Sequence, residues 1–292
     1  MYTTLISAAQ LQALRASGTP CMVFDCSFDL SQPDAGPAMY AQSHIPGAVY
    51  AHLDSALSAK GERAHTGAMS GGRHPLPARE TFAQWLSAVG FENTMQAVVY
   101  DRQGVNYCGR LWWMLKWLGH DAVAVLDGGF AAWVAQGGAL EASLSPAPLQ
   151  SPNRAPFALS DPKARLVGAE AVLRQLGRAG QTIVDARATP RFKGEIEPLD
   201  PVAGHIPGAL NRPFSLNLTP EGFFKPATVL RAEWDALLGP CPAQSVVHQC
   251  GSGVSAIPNL LAMEIAGLPG STLFAGSWSE WCSDPARPVA TG

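Results

Sequence analysis

His44-Ile45-Pro46-Gly47-Ala48 returns unchanged as His205-Ile206-Pro207-Gly208-Ala209. Proline fixes φ at one position and glycine permits φ > 0 at the next, so each copy predicts a tight turn. An identical pentapeptide twice in one chain marks an internal duplication, and the flanks bear this out. Upstream, Met22-Val23-Phe24-Asp25 and Thr182-Ile183-Val184-Asp185 each follow an apolar-periodic stretch, residues 7–16 and 168–178, which reads as helix and then buried strand. Downstream, Ala97-Val98-Val99-Tyr100 and Ser245-Val246-Val247-His248 lead through helical stretches to Gly128-Gly129-Phe130-Ala131-Ala132-Trp133 and Gly276-Ser277-Trp278-Ser279-Glu280-Trp281. The first copy is the longer, and its surplus falls in the Gly/His/Pro-rich segment Gly61–Pro77.

Short strands alternating with helices predict an α/β fold, because parallel neighbours need a crossover of about a dozen residues or more. Each repeat is expected to form one domain with a mainly parallel sheet flanked by helices. The boundaries are set at 1–136 for the first domain and 163–292 for the second. Residues 137–162, rich in Gly, Ala, Ser and Pro and without periodicity, read as a linker.

With 47% hydrophobic and 15% charged residues over 292 positions, the chain has the composition of a globular protein. No apolar run approaches the length of a membrane span. A net charge of −3 without a basic stripe argues against nucleic acid as a partner. The start, Met1-Tyr2-Thr3-Thr4-Leu5-Ile6-Ser7, has neither a basic nor a sustained apolar region of the export type, so the cytoplasm is expected. The six cysteines contain no Cys-x-x-Cys pair and no zinc-ligand spacing, and no metal is expected.

One cysteine stands apart. Ser245-Val246-Val247-His248-Gln249-Cys250-Gly251-Ser252-Gly253-Val254-Ser255-Ala256 places Cys250 at the end of a buried strand, ahead of two glycines and a helix. In such a loop successive N–H groups converge into an anion-binding concavity, and the helix adds its positive end. The alternative reading is a small core residue at a strand end, as Cys108 is read to be. Setting Tyr100-Asp101-Arg102-Gln103-Gly104 against His248-Gln249-Cys250-Gly251-Ser252 puts Arg102 opposite the cysteine and predicts that the first domain has no thiol chemistry.

The two His-Ile-Pro-Gly-Ala copies, Asp185-Ala186-Arg187, Cys250-Gly251-Ser252-Gly253-Val254-Ser255 and Gly276–Trp281 together resemble the tandem rhodanese family across nearly the whole chain. The cysteine loop is similar to that of the 3-mercaptopyruvate sulfurtransferase branch, whereas thiosulfate sulfurtransferases typically carry basic residues after the cysteine. The resemblance implies that Cys250 accepts sulfur as a persulfide from a small-molecule donor and passes it to a thiol, a thioredoxin-like protein or cyanide, without a cofactor. It also implies that Gly251, Gly253, Val254 and Ser255 form the donor-binding loop and that Arg191, before Phe192, holds the substrate carboxylate. Ser252, His44 and Asp34 match a proton-relay triad of that branch. His44 has a second reading, because it and His205 could each simply tie down a Pro-Gly turn.

The sequence also departs from the branch. Glu197-Pro198-Leu199-Asp200-Pro201 lacks the arginine that commonly follows Glu-Pro, which keeps thiosulfate open as donor; Lys193 could supply charge but not a bidentate fork. A cysteine-loop phosphatase is disfavoured, since its Cys-x5-Arg would need arginine where Ala256 stands. A persulfide carrier without turnover remains the non-enzymatic rival.

Overall fold

The computed structural model describes residues 1–60, 67–142 and 155–292. Part of the Gly61–Pro77 surplus and of the expected linker 137–162 lies outside the described residues. The chain divides into two compact units, one of Met1–Ala59, Pro77–Lys163 and Pro220–Phe223, the other of Lys60–Leu76, Ala164–Thr219 and Phe224–Gly292. The latter half of the Gly61–Pro77 segment therefore belongs with the second repeat and not the first.

The first unit strings together β1 (Leu5–Ile6), α1 (Ala8–Ala16), β2 (Cys21–Asp25), α2 (Ala35–Gln42), β3 (Val49–Tyr50), α3 (Arg79–Ala88), β4 (Gln96–Tyr100), α4 (Cys108–Trp117), β5 (Val123–Leu126) and α5 (Gly129–Ala135). Its strands form a five-stranded sheet of order β1-β5-β4-β2-β3, parallel at every pairing. The second unit repeats the plan with β6 (Arg165–Val167), α6 (Ala169–Arg174), β7 (Thr182–Asp185), α7 (Thr189–Lys193), β8 (Leu210–Asn211), α8 (Ala227–Leu238), β9 (Val246–Gln249), α9 (Ile257–Ile265), β10 (Thr272–Phe274) and α10 (Ser277–Trp281). Its order is β6-β10-β9-β7-β8, again parallel.

Local signals explain the elements. Ser7 caps α1 in a reciprocal box with Gln10, each side chain bonded to the other's main-chain N–H, which satisfies two helix-end donors. β4 and β9 are buried along their whole length, and strands covered on both faces read as continuous apolar runs. The tryptophans Trp112, Trp113, Trp234, Trp278 and Trp281 are among the largest fully buried side chains.

Both sheets reverse direction of growth between their second and fourth strands in sequence, β2 and β4 or β7 and β9. In open parallel sheets this switch opens a crevice at the carboxyl ends of the strands. Cys250 follows β9 there, and Asp185-Ala186-Arg187 ends β7 beside it. No helix among the described residues is long and apolar enough to cross a membrane.

Candidate active site

The strand register corrects the alignment of the two loops. Asp25 pairs with Tyr100 and Asp185 with Gln249. Phe130 N–H donates to Asp101 O, and Trp278 N–H to Cys250 O. The residue that stands where Cys250 does is thus Asp101, and Arg102 corresponds to Gly251.

This substitution reveals what the loop does. Asp101 Oδ1 accepts from the N–H groups of Gln103 and Val105, each at 3.0 Å, and Oδ2 from Tyr107 at 2.8 Å and Cys108 at 2.9 Å. A carboxylate thus fills a nest of four main-chain donors at the start of α4. The corresponding residues of the second loop are Ser252, Val254, Ala256 and Ile257. The N–H groups of Ser252, Val254 and Ala256 make no hydrogen bond among the described residues, and only Ile257 has one, to Val254 O. The cradle of the second repeat is open where that of the first is filled.

Two residues set its shape. Gly253 has φ +72°, and a Cβ there would overlap Ala275 O, so a side chain would push the loop off β10. Ser277 has φ +53°, a left-handed conformation rare outside glycine; its counterpart in the first unit is Gly129, at +58°. The serine hydroxyl accepts from Cys250 N–H at 3.0 Å and donates to Phe274 O at 2.9 Å. Strain of about 1–3 kcal/mol in such a residue persists only where its surroundings enforce it, and here the hydroxyl pins the main chain at the cysteine.

Cys250 is 2% exposed, deeper than an open-mouthed loop would leave it, but its surroundings are polar. Val254 is buried and Ser255 half-buried in the same loop. Ser252 Oγ lies 2.8 Å from His74 Nδ1, both residues being buried. Above Gly251, an added Cβ would meet Arg73 Nη2 at 3.1 Å and Arg191 Nη1 and Nη2 at 3.5 and 3.7 Å. Arg191 is held by Glu197 Oε1 at 2.6 Å and Asp200 Oδ2 at 3.2 Å, and Arg73 Nη1 by Asp200 Oδ1 at 2.6 Å. Arg187 instead turns inward, forked onto Asp185 and bonded to Gly204 O. Lys193 is half exposed and 4.0 Å from Glu195.

His44 and His205 occupy matching settings. His44 stacks on Tyr40 at 3.8 Å and bonds through Nδ1 to Tyr40 O at 2.7 Å. His205 does the same with Phe192, at 3.9 Å and 2.9 Å. Each also forms a main-chain bridge, to Glu141 and Ala290 respectively. Asp34 is exposed at the start of α2 and makes no capping bond.

Cys26 and Cys108 are buried thiols whose pKa is pushed well up, first by desolvation and then by nearby carboxylates, Asp25 ahead of Asp101 for Cys26 and Asp101 ahead of Asp25 for Cys108. Burial likewise depresses His248 to about 3, so its ring is neutral. No cluster of three or more His, Cys, Asp or Glu suited to a metal occurs among the described residues.

His74, Arg73 and Ser277 were not anticipated. The first two lie in an aperiodic Gly/Pro segment, where spacing carries no message. The signal for Ser277 was readable: aligned with Gly128-Gly129-Phe130, Gly276-Ser277-Trp278 sets a serine at a position that otherwise demands glycine.

The fold is thus a tandem of two α/β domains, one with a buried cysteine at the head of the amide loop and one with an aspartate closing it. Residues 7–136 and 168–284 both match the rhodanese-like domain family, and the chain belongs to that family. It is 46% identical to the "Probable 3-mercaptopyruvate sulfurtransferase" of Pseudomonas aeruginosa, over 100% of both chains. It is 38% identical to the "Putative thiosulfate sulfurtransferase SseB" of Mycobacterium tuberculosis, over 99% of this chain and 97% of that one. Among solved structures, SseA from Escherichia coli, described as a 3-mercaptopyruvate sulfotransferase, superposes with a TM-score of 0.77 at 30% identity, covering 96% of this chain and 100% of that one.

Two outcomes follow from these geometries. Asp101→Asn keeps one acceptor but turns an amide donor toward main-chain N–H groups, and should destabilise the first unit by about 2–4 kcal/mol. Faster hydrogen exchange at the amides of Gln103, Val105, Tyr107 and Cys108 would register it. For Glu197, burial raises the pKa, but hydrogen bonds from Arg191 and the N–H groups of Leu199 and Asp200 outweigh it and hold the carboxyl below its ordinary 4.5. A depressed folded pKa adds stability that is complete above the ordinary value and fades as the pH falls below it. Urea midpoints of Glu197→Gln should therefore fall below wild type at pH 7 and converge with it only under acid conditions below 4.5.

Proposed function

We propose that the chain is a sulfurtransferase that takes sulfur from 3-mercaptopyruvate onto Cys250 and delivers it to a thiol. The open amide cradle around Cys250 carries this reading, because the same loop in the first unit shows what it is built to hold, a compact anion. The 46% identity to a protein named for 3-mercaptopyruvate supports the choice of donor.

In the first half-reaction the Cys250 thiolate attacks the donor sulfur. The new S–S bond forms as the C–S bond breaks, leaving Cys250 persulfide and the enolate of pyruvate. Proton delivery to the enolate carbon completes pyruvate. Ser252 and His74, in direct hydrogen-bond contact, are the groups suited to that transfer. We accordingly move the relay from His44 and Asp34 to His74, since His44 spends Nδ1 on its own turn and Asp34 lies exposed. Ser252, Val254 and Ala256 N–H groups stabilise the anionic sulfur, with Gly251, Gly253 and Ser255 completing the loop, and Arg191 takes the carboxylate.

In the second half-reaction an acceptor thiolate, on a small molecule or a thioredoxin-like protein, attacks the outer sulfur and releases the Cys250 thiolate; cyanide would leave as thiocyanate. All six cysteines are free, which suits a reducing compartment such as the cytoplasm. Thiosulfate is the second donor to consider, favoured by the paired guanidinium groups over Gly251 and by the relative named for it. The ratio of kcat/KM for the two donors decides between them.

Mass spectrometry after exposure to 3-mercaptopyruvate should find one added sulfur atom, about 32 Da, on the Cys250 peptide. Cys250→Ser should show neither adduct nor turnover; sulfur delivery at the wild-type rate by that variant would end the proposal. His74→Asn should lower kcat by about 10²-fold or more. His44→Asn should instead leave kcat within about threefold while costing roughly 1–2 kcal/mol of stability, measured by turnover and urea unfolding of the same preparations.

A further inference from the structure

We propose that Ser279 is a positioning residue for proton transfer, clasping the strap of residues 70–75, which carries His74, to the loop that carries Cys250 and Ser252. The inference rests on reading Ser252 and His74 as the groups that move the proton.

Three observations carry it. The first is a closed ring of contacts. Ser279 N–H donates to Gly251 O at 2.9 Å, and Ser279 Oγ accepts from Arg73 N–H at 3.0 Å. One residue of α10 thus holds the residue before Ser252 and the residue before His74, and those two side chains meet at 2.8 Å. A hydroxyl can accept and donate at once, and Ser279 Oγ spends its proton on Gly276 O at 3.2 Å, so its own position on α10 is fixed.

The second is the fit of the strap. Gly72 has φ +82°, and a Cβ there would lie 2.5 Å from Gly276 O and 2.6 Å from Ser279 Oγ; a Cβ on Gly71 would lie 2.8 Å from Glu280 Cγ. Gly71 N–H bonds the Glu280 carboxylate. Two successive glycines bring the strap's main chain against α10 at a distance that side chains would forbid.

The third is the contrast with the first repeat. Phe130 and Trp278 make the same main-chain bond, to Asp101 O and Cys250 O, so Ser279 corresponds to Ala131, which is exposed and has no hydroxyl to offer. The clasp belongs to the repeat that has a histidine to place. Proton transfer needs heavy atoms within about 2.6–3.2 Å, and a displacement of about 1 Å can cost roughly 10²-fold in rate.

A double-mutant cycle on the full-length enzyme tests this. Ser279→Ala should lower kcat with 3-mercaptopyruvate by about tenfold while KM stays within about threefold, and Ser279→Thr, which keeps the hydroxyl, should recover most of the loss. In a His74→Asn background the same Ser279→Ala change should alter kcat by less than about twofold, because the histidine it would misplace is gone. Gly72→Ala, which dislodges the strap from its own side, should show the same non-additivity. Equal losses in both backgrounds would mark general structural damage and overturn the proposal, as would a Ser279→Ala enzyme with wild-type kcat. Hydrogen exchange in the resting enzyme gives a readout independent of turnover, with the Arg73 amide exchanging at least about tenfold faster in Ser279→Ala; unchanged exchange also overturns it. Should exchange respond in this way while neither mercaptopyruvate nor thiosulfate loads Cys250 of the wild type, the clasp would stand and the sulfur-transfer reading would fall.

Discussion

A ring of main-chain N–H groups at the end of the fourth strand of each repeat, closed by a carboxylate in the first, is the constraint on which the rest of this structure depends. Orphan amides inside a fold are costly unless paired, so the loop needs an anion or water in its cup. In the first unit Asp101 supplies the charge covalently, and four hydrogen bonds lock the turn. In the second unit a cysteine stands in that place, one atom shorter in reach, and the donors of Ser252, Val254 and Ala256 stay available.

A second element was preserved through a rearrangement of residues. In the first unit Arg102 bonds Asp25 at 2.9 Å and lies 4.0 Å over Phe130. In the second, Arg187 bonds Asp185 at 2.7 Å and lies 4.7 Å over Trp278. The aspartates match one another, as do the rings, but the arginine comes from the cysteine-type loop in one case and from the end of the neighbouring strand in the other. A buried carboxylate left without its cation costs several kcal/mol, so the charge had to be met from somewhere. Supplying it from Arg187 frees the position after the cysteine to be glycine, which is what opens the site to Arg73 and Arg191.

The duplication and the α/β plan were legible because Pro-Gly turns and Asp-terminated apolar runs are strong local signals. The register between the cysteine loop and its counterpart was not. Strands buried on both faces carry no alternation, so a one-residue slip changes nothing visible in Ala97–Tyr100 or Ser245–His248. Only hydrogen-bond partners across the sheet placed Asp101, and not Arg102, opposite Cys250. His44 was legible as a special residue, but the partner of its Nδ1, Tyr40 O, was not. Arg73 and His74 sit in a segment without period, and their roles depend on tertiary contacts alone.

The chain's cysteines differ in what their position in the fold sets beside them. Cys26 and Cys108 lie in the first unit beside the carboxylates of Asp25 and Asp101, and both burial and those charges favour the neutral thiol. Sulfur there is packing material. Cys250 occupies the place of one of those carboxylates, in the same loop as the N–H groups of Ser252, Val254 and Ala256. The sheet plan and the buried aspartate–arginine pair recur in both units, so one fold accommodates an aspartate at this position in one copy and a cysteine in the other.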